Sequence, residues 1–338
     1  MQQTPRFSDF SDNVARHFGY LEVQPGPLLV WQHRPLAEQT RNTIVVLCYP
    51  MGSEYVQAHR SVQYLADSLA QAGCNVLRFD FYATGDSGGS EITQGLWEVW
   101  QQNILAVVDA AREQYPGFRI CVAGIRLGAT LAYLAAQKTA VDQLVLWEPI
   151  IQGRRFLREM KALSRFVEGD EAVDLGYGEF AGLILPDDTD AAINKVKLAG
   201  LPLMGTPAIM CIYRGEATSH NEFNQWLETL HPSARIECLP GYEDMIARPH
   251  DTKIPTLAIA EITRWVSDGV PMVMASIAPM RLQEKAILSS CEDFSKPVLE
   301  QGLWYDEGQR LFGVLTQPPE GPVPGSRVVV FMNSGAVH

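Results

Sequence analysis

The sequence of 338 residues predicts an α/β fold, built on a mostly parallel sheet with crossover helices. Short apolar runs of strand length alternate with amphipathic stretches of helical length along most of the chain. Hydrophobic residues make up 46% of the chain and charged residues 20%, which is ordinary for a globular protein. At roughly 150 residues per domain, the length fits one large domain or two small ones.

Four apolar runs form the centre of the predicted sheet, because runs of this kind are typical of strands buried on both faces. They are residues 43–48, 75–79, 119–123 and 143–147. Three stretches between them carry apolar residues at helical spacing and are the predicted crossover helices. They are residues 56–72, 95–114 and 127–138.

Further strands extend the sheet on both sides. Upstream, the runs 18–23 and 28–33 flank the turn sequence QPGP, which predicts an antiparallel hairpin at one edge. Downstream, two more strands flank a short helix, and one last helix follows. These elements are residues 207–213, about 221–230, 235–239 and about 256–266.

An insertion interrupts the alternation directly after the strand at 143–147. Residues 151–203 are rich in charge and glycine, and long excursions of this kind are commonly lids or binding loops. We therefore expect a core formed by residues 1–150 and 204–270, with residues 151–203 as a cap over the sheet. Residues 271–299 would then be a linker.

The tail repeats the opening pattern of the core. The octapeptide LFGVLTQP at 311–318 precedes VVVF, as LLVWQHRP at 28–35 precedes IVVL, at an offset of about 283 residues. Similarity at a domain-sized interval indicates tandem units. We expect a second, truncated unit to begin in residues 300–338, and the alternative is a C-terminal hairpin added to the first sheet.

Charge and composition exclude several function classes. The 27 basic and 39 acidic residues give a net charge of −12, which disfavours binding to nucleic acid or to anionic membranes. No run reaches the roughly 18 apolar residues of a membrane span, and the polar N-terminus lacks the layout of a secretory signal, so we expect a cytoplasmic protein. The six cysteines are scattered without a C-x-x-C pair, so neither a metal nor a cofactor is predicted.

The pentapeptide GIRLG at 124–128 stands between a predicted strand and a helix of small residues. A sharp strand-to-helix turn brings its flanking residues against the neighbouring strand and helix, which glycine at 124 and 128 would permit. This arrangement resembles the nucleophile elbow of the α/β-hydrolases, and in particular their serine aminopeptidase branch. The sequence LRFD at 77–80, followed by TGDS at 84–87, is similar to the exit of that family's fourth strand.

The resemblance covers residues 18 to about 269 and implies an eight-stranded sheet with a cap after the sixth strand. It also implies a Ser-His-Asp triad, from which this sequence departs. Arg126 stands where the family has its elbow serine. A guanidinium is always protonated and has no lone pair with which to attack a carbonyl. The family's acid position offers Glu216, and its histidine position offers Glu243 or Asp244, with His250 a few residues further on.

The loop after the strand at 43–48 is the place where many hydrolases build an oxyanion hole from backbone N–H groups. Here Met51, Gly52 and Ser53, with the amide of Leu127, are the candidate ligand-binding residues. A structural role in entering the next helix is the alternative. Glu54, His59 and Arg60 lie near the same strand end, where ligands bind in open α/β sheets, although a solvated helix face would look the same.

Three arginines, Arg154, Arg155 and Arg158, form a basic cluster at the start of the insertion. They could hold an anionic group such as a phosphate, or neutralise the acidic residues of the cap itself. The acidic run at 168–174 lacks a metal-loop pattern, and the aromatic residues of GYGEF at 176–180 would line a pocket or pack the cap.

Two functions remain open from the sequence. One is a catalytically silent hydrolase-fold module that binds a small acyl-type ligand or a second hydrolase-like domain. The other is an active hydrolase of acyl esters, thioesters or amides that uses a non-standard site. Because an unpaired buried cation would cost several kcal/mol, we also expect at least one carboxylate to bond to Arg126.

Overall fold

The computed structural model describes residues 13–36, 38–168, 178–180, 182–215, 221–248, 250–288, 297–304, 312–322, 325, 327 and 329–330. The strands of the main sheet are β1 (Val14–Leu21), β2 (Leu28–Pro35), β4 (Thr43–Cys48), β5 (Asn75–Phe79), β6 (Arg119–Ile125), β7 (Gln143–Trp147), β10 (Ala208–Tyr213) and β11 (Arg235–Cys238). The helices are α1 (Ser53–Gln71), α2 (Leu96–Gln114), α3 (Leu127–Ala135), α4 (Gly153–Glu168), α5 (Asp187–Asn194), α6 (Asn221–Leu230), α7 (Tyr242–Met245) and α8 (Thr256–Ser267). The remaining strands are β3 (Gln39–Thr40), β8 (Gly178–Phe180), β9 (Leu183–Leu185), β12 (Val273–Met274), β13 (Lys285–Leu288), β14 (Val298–Trp304) and β15 (Phe312–Gln317).

The main sheet has eight strands in the order β1-β2-β5-β4-β6-β7-β10-β11. In this order, each strand from β5 onward pairs in parallel with the next one. Strands β1 and β2 form the predicted antiparallel hairpin, and β2 joins β5 antiparallel. The predicted mostly parallel sheet with crossover helices is therefore confirmed. The four predicted central strands are buried on both faces, apart from the partly exposed first residue of β6.

The two faces of the sheet carry two hydrophobic layers. In β4, Ile44 and Val46 face the layer that contains residues of α2 and α3, whereas Val45 and Leu47 face the layer that contains residues of α1 and α8. This alternation follows from the two-residue period of a strand. Both layers are mostly apolar, and the buried polar side chains between them include His33 of β2 and Arg78 of β5.

Residues 151–203 break the strand-helix alternation, as the sequence indicates. They contain α4, the short hairpin of β8 and β9, and α5, none of which adds a strand to the main sheet. The backbone bridge between Gln152 and Lys197 ties the two ends of this segment together.

The C-terminal strands β13, β14 and β15 form a separate antiparallel sheet that packs on the β1–β2 hairpin. Phe18 and Trp31 of the first hairpin meet Trp304 and Phe312 of the second, with ring centroids 4.8–5.7 Å apart. A Cβ on Gly302 would collide with the Phe18 ring, so this glycine permits the close approach.

The apolar run VVVF at 328–331, predicted as the next strand of the tail, lies partly outside the described residues. Its described members Val329 and Val330 are exposed and belong to no strand. None of the helices in the described ranges combines the length and apolar character needed to cross a bilayer.

Candidate functional site

The predicted sharp turn between β6 and α3 is present, with Arg126 at its apex. Arg126 has φ 55° and ψ −117°, a left-handed conformation that side chains larger than glycine rarely adopt. A Cβ on Gly124 would lie 2.5 Å from the Ala129 nitrogen, and one on Gly128 would collide with the carbonyl oxygen of Tyr49. Both glycines are therefore required by the turn, for the predicted reason.

The Arg126 guanidinium is buried in a network of two carboxylates. Its Nε lies 3.2 Å from Oε1 of Glu54, and its Nη2 lies 2.7 Å from Oε2 of Glu159. Glu54 belongs to the first turn of α1, which follows β4, and β4 is the neighbour of β6 in the sheet. Glu159 comes from α4, and the Phe156 ring of the same helix lies 5.6 Å from the guanidinium carbon.

Tyr242 completes the buried side of the network. It is fully buried in α7, after β11, and its hydroxyl donates a hydrogen bond of 3.0 Å to Oε1 of Glu54. The Glu54 carboxylate therefore accepts from both Arg126 and Tyr242.

A second arginine enters from the neighbouring strand ends. Arg214 follows β10, and its Nη2 lies 3.4 Å from Oε1 of Glu159. The Arg214 backbone N–H donates to Oε1 of Glu148 at 2.5 Å, and its Nε lies 3.4 Å from Oε2 of the same carboxylate. Glu148 directly follows β7, so the side chains come together because parallel strands end at one edge of the sheet.

The pKa values of these groups reflect burial and pairing. Burial opposes the charge of Arg126, but Tyr242, Glu54 and Glu159 outweigh it and raise the pKa of the guanidinium. Burial raises the pKa of Glu54 in spite of Arg126, and burial likewise raises the pKa of Glu148. Burial also acts on Glu159, but Arg126 and Arg214 prevail and lower the pKa of this carboxyl, which is therefore ionised at neutral pH.

Four members of this network line a cavity of 410 Å³, namely Arg126, Glu148, Glu159 and Arg214. The apolar wall includes Ile150, Ile151 and Phe156, and the polar lining includes Gln152 and Arg155. Because a guanidinium and several carboxylates face an apolar wall, the cavity is suited to a small polar group attached to an apolar body.

The other predicted partners of Arg126 lie elsewhere. Glu216 lies outside the described residues. Glu243 and Asp244 are exposed, and Asp244 lies 3.3 Å from Nζ of Lys253 instead of near the elbow. His250 is exposed as well. The expectation of a carboxylate on Arg126 is met, but by Glu54 and Glu159.

The four candidate ligand-binding residues are not among the described lining of the Arg126 cavity, and two of them line a different cavity. Met51 and Gly52 line a second space of 160 Å³ with Trp100 and the β9 hairpin, while Ser53 and Leu127 begin α1 and α3. His59 stacks on the Tyr49 ring at 6.1 Å and is not among the described residues around the Arg126 cavity. No group of three or more metal-binding side chains occurs in the part of the chain that the structure describes.

Sequence reasoning missed Glu148, Glu159 and Tyr242. Glu148 directly follows a predicted strand, so the rule that ligands meet at strand ends could have found it. Tyr242 directly precedes Glu243 and Asp244, which stand at the family's histidine position. Glu159 carries no sequence signal, because only the folding of α4 back over the sheet brings it to the elbow.

Comparison with known proteins supports the predicted resemblance. The family model of the serine aminopeptidases, S33, matches residues 40–177. No curated protein matches the sequence significantly.

Solved structures share the architecture at low identity. An esterase of Pyrococcus furiosus is 14% identical with a TM-score of 0.56, covering 80% of this chain and 96% of its own. A Butyrivibrio proteoclasticus protein solved with bound ferulic acid is 17% identical, with a TM-score of 0.52 and coverage of 74% and 96%. A proline iminopeptidase of Mycobacterium smegmatis is 13% identical, with a TM-score of 0.50 and coverage of 74% and 97%.

Proposed function

We propose that this chain, an α/β-hydrolase-fold protein similar to the serine aminopeptidases over residues 40–177, binds a small acyl-type ligand without forming an acyl-enzyme at its elbow. The observation that carries the proposal is the state of the Arg126 side chain. It stands at the apex of the turn, where the family resemblance places the nucleophile, and its guanidinium is bonded to Glu54 and Glu159. A protonated guanidinium cannot act as a nucleophile or accept a proton.

The described surroundings of Arg126 offer no general base of the usual kind. Among the described residues that line the cavity there is no histidine and no serine. Tyr242, which follows the eighth strand of the sheet, donates a hydrogen bond to Glu54 through its hydroxyl and keeps its proton. Burial raises the pKa of the Tyr242 phenol well above its ordinary value, so the ring stays neutral.

The segment 151–203 serves as the cap of this ligand site. Its helix α4 supplies Arg155, Phe156 and Glu159 to the cavity, while the elbow and the strand ends supply the floor. A concave site with an apolar wall and a few polar groups is the usual form of a small-molecule site.

A second hydrolase-like unit beginning at about residue 300 is part of the proposal. The hairpin of β14 and β15 repeats that of β1 and β2, because Trp304 pairs with Phe312 as Leu21 pairs with Leu28. Its aromatic contact with the first hairpin gives the second unit a docking surface on the first.

Hydrolysis through a non-standard site is the alternative function. The elbow keeps its strained backbone, and the Glu148 and Glu159 carboxylates face the cavity, where one of them could activate a water molecule. In that case Arg126 would hold the developing anion.

A hydrolysis screen separates the two functions. The chain is incubated with 4-nitrophenyl acetate, 4-nitrophenyl butyrate and a butyryl thioester, with an active serine esterase as positive control. We expect rates equal to those of the heat-denatured chain. Saturable hydrolysis that Glu159→Gln abolishes, and that Glu222→Gln on the surface leaves intact, would overturn the proposal in favour of the alternative.

A further inference from the structure

The Glu159 carboxylate bridges two arginines, with one oxygen facing each of them. Oε2 lies 2.7 Å from Nη2 of Arg126, and Oε1 lies 3.4 Å from Nη2 of Arg214. Two guanidinium groups around one carboxylate form a typical recognition site for a carboxylate anion.

Glu159 differs from the other carboxylates of the network in its exposure. Its side chain is 36% exposed, against 10% for Glu54 and 5% for Glu148. If Glu159 leaves, Arg126 keeps Glu54 and Arg214 keeps Glu148, so neither arginine is left without a partner. Glu159 is therefore the most exposed carboxylate of this set, and its exchange leaves each arginine with a buried carboxylate partner.

Helix α4 offers the displaced carboxylate a new partner. Arg155 lies one turn before Glu159, lines the same cavity, and has no carboxylate partner among the described residues. Residues four apart on a helix are neighbours, so a released Glu159 can reach Arg155.

We propose that Glu159 is an internal placeholder, and that a ligand carboxylate takes its place between Arg126 and Arg214 while Glu159 moves to Arg155. Because Ile150, Ile151 and Phe156 form an apolar wall, a ligand that fits this cavity also carries a hydrophobic group. The ligand class is therefore a monocarboxylate with an apolar body. This inference rests on the proposed function only in placing the ligand in the Arg126 cavity.

Titration calorimetry with phenylacetate tests the inference on the full chain. Acetate lacks the apolar body, 2-phenylethanol lacks the charge, and inorganic phosphate is an anion of different shape. We expect phenylacetate to bind and all three others to bind at least tenfold more weakly. Equal binding of phosphate would overturn the assigned ligand class, and absence of phenylacetate binding would overturn the inference.

Variants distinguish displacement of Glu159 by the ligand from a general effect of removing one negative charge. We expect Glu159→Gln to bind phenylacetate about tenfold more tightly, because the competing carboxylate is gone, whereas Glu222→Gln changes nothing. Arg155→Gln should weaken binding about twofold in the wild-type background, as expected for a helical pair. In the Glu159→Gln background its effect should be smaller, because no released carboxylate then needs Arg155 as a partner.

Arg154→Gln is the matched control for Arg155→Gln, since Arg154 is on the same helix, exposed and outside the cavity lining. If Glu159→Gln fails to fold, Glu159→Asp, which shortens the reach of the carboxylate, serves for the same comparison. A Glu159 variant that binds no more tightly than wild type would contradict the displacement. Phenylacetate has no bond to hydrolyse, so its binding is read independently of the hydrolysis screen.

Discussion

Nε of Arg126 lies 3.2 Å from Oε1 of Glu54, which ties the apex of the elbow to the first turn of the helix after β4. The two residues are 72 positions apart in the sequence, and both side chains are at most 10% exposed. The strained turn is therefore held by an ion pair to the neighbouring helix.

Replacing Arg126 should destabilise the protein without creating an esterase. Arg126→Ser leaves the buried Glu54 carboxylate without its cation, and breaking a buried ion pair in this way typically costs about 3 kcal/mol. We expect the free energy of unfolding in urea to fall by about that amount. We also expect no hydrolysis of 4-nitrophenyl acetate, because no histidine stands beside the new hydroxyl among the described lining residues.

Arg248→Ser is the control for this variant, because the Arg248 side chain is 90% exposed and its pair with Asp251 is solvated. It should leave the urea midpoint nearly unchanged. A stable and efficient Arg126→Ser esterase would contradict both the ion-pair network and the proposed function.

Acid should destabilise the fold through His33. This fully buried ring lies 2.7 Å from Oδ1 of Asp67 through Nδ1, and its Nε2 accepts a hydrogen bond of 2.8 Å from Nε of Arg78. Burial lowers the pKa of His33 to about 4. The charges of Arg78 and Arg16 also lower this pKa, whereas Asp67 raises it. Because the unfolded chain binds the proton more readily, stability is lost as pH falls from 6.5 towards 4, by about 3 kcal/mol in total.

Urea unfolding at pH 7.0 and pH 4.5 measures this effect. His33→Gln removes the titrating ring, so we expect its loss of stability between the two pH values to be smaller than that of wild type. His250→Gln, at an exposed position, should lose as much as wild type. An equal loss in His33→Gln and wild type would show that other groups carry the acid sensitivity.

The aromatic contact between the two hairpins should hold the C-terminal sheet in place. Trp304 contacts Phe18 at 5.5 Å and Trp31 at 5.7 Å between ring centroids. Trp304→Ala removes these contacts from a partly buried position, at an expected cost of about 1–2 kcal/mol. We expect about tenfold faster hydrogen exchange in β14 and β15.

Thr316→Ala is the control, since Thr316 is an exposed residue of β15. It should not change exchange in the aromatic cluster. Unchanged exchange in Trp304→Ala would show that the C-terminal sheet is held by other contacts.

The sheet and the elbow were predictable from the sequence because their signals are local. Apolar strand-length runs specify buried strands such as β4, and the glycines at 124 and 128 specify the close packing of the turn. The same reasoning predicted that Arg126 requires a carboxylate.

The identity of that carboxylate was not predictable from local pattern. Glu243 and Asp244 were expected from family positions, yet the short helix α7 turns Tyr242 inward and leaves both of them exposed. The sequence places Glu54 near the strand ends where ligands bind. Its contact with the elbow follows because β4 and β6 are neighbours in the sheet. Glu159 depends on where α4 packs, which a single sequence does not reveal.

Intact-mass measurement after incubation with a fluorophosphonate probe tests the central claim most directly, because the probe reports an activated nucleophile without any choice of substrate. Ser53 begins α1 and Ser87 lies between β5 and α2, where the Ser87 hydroxyl already donates to the Asp80 carbonyl and accepts from the Leu29 amide. We predict that the chain keeps its unmodified mass while a serine esterase in the same tube is labelled completely. One equivalent of probe on the chain, mapped to Ser53, Ser87 or another side chain, would contradict the claim that no acyl-enzyme forms.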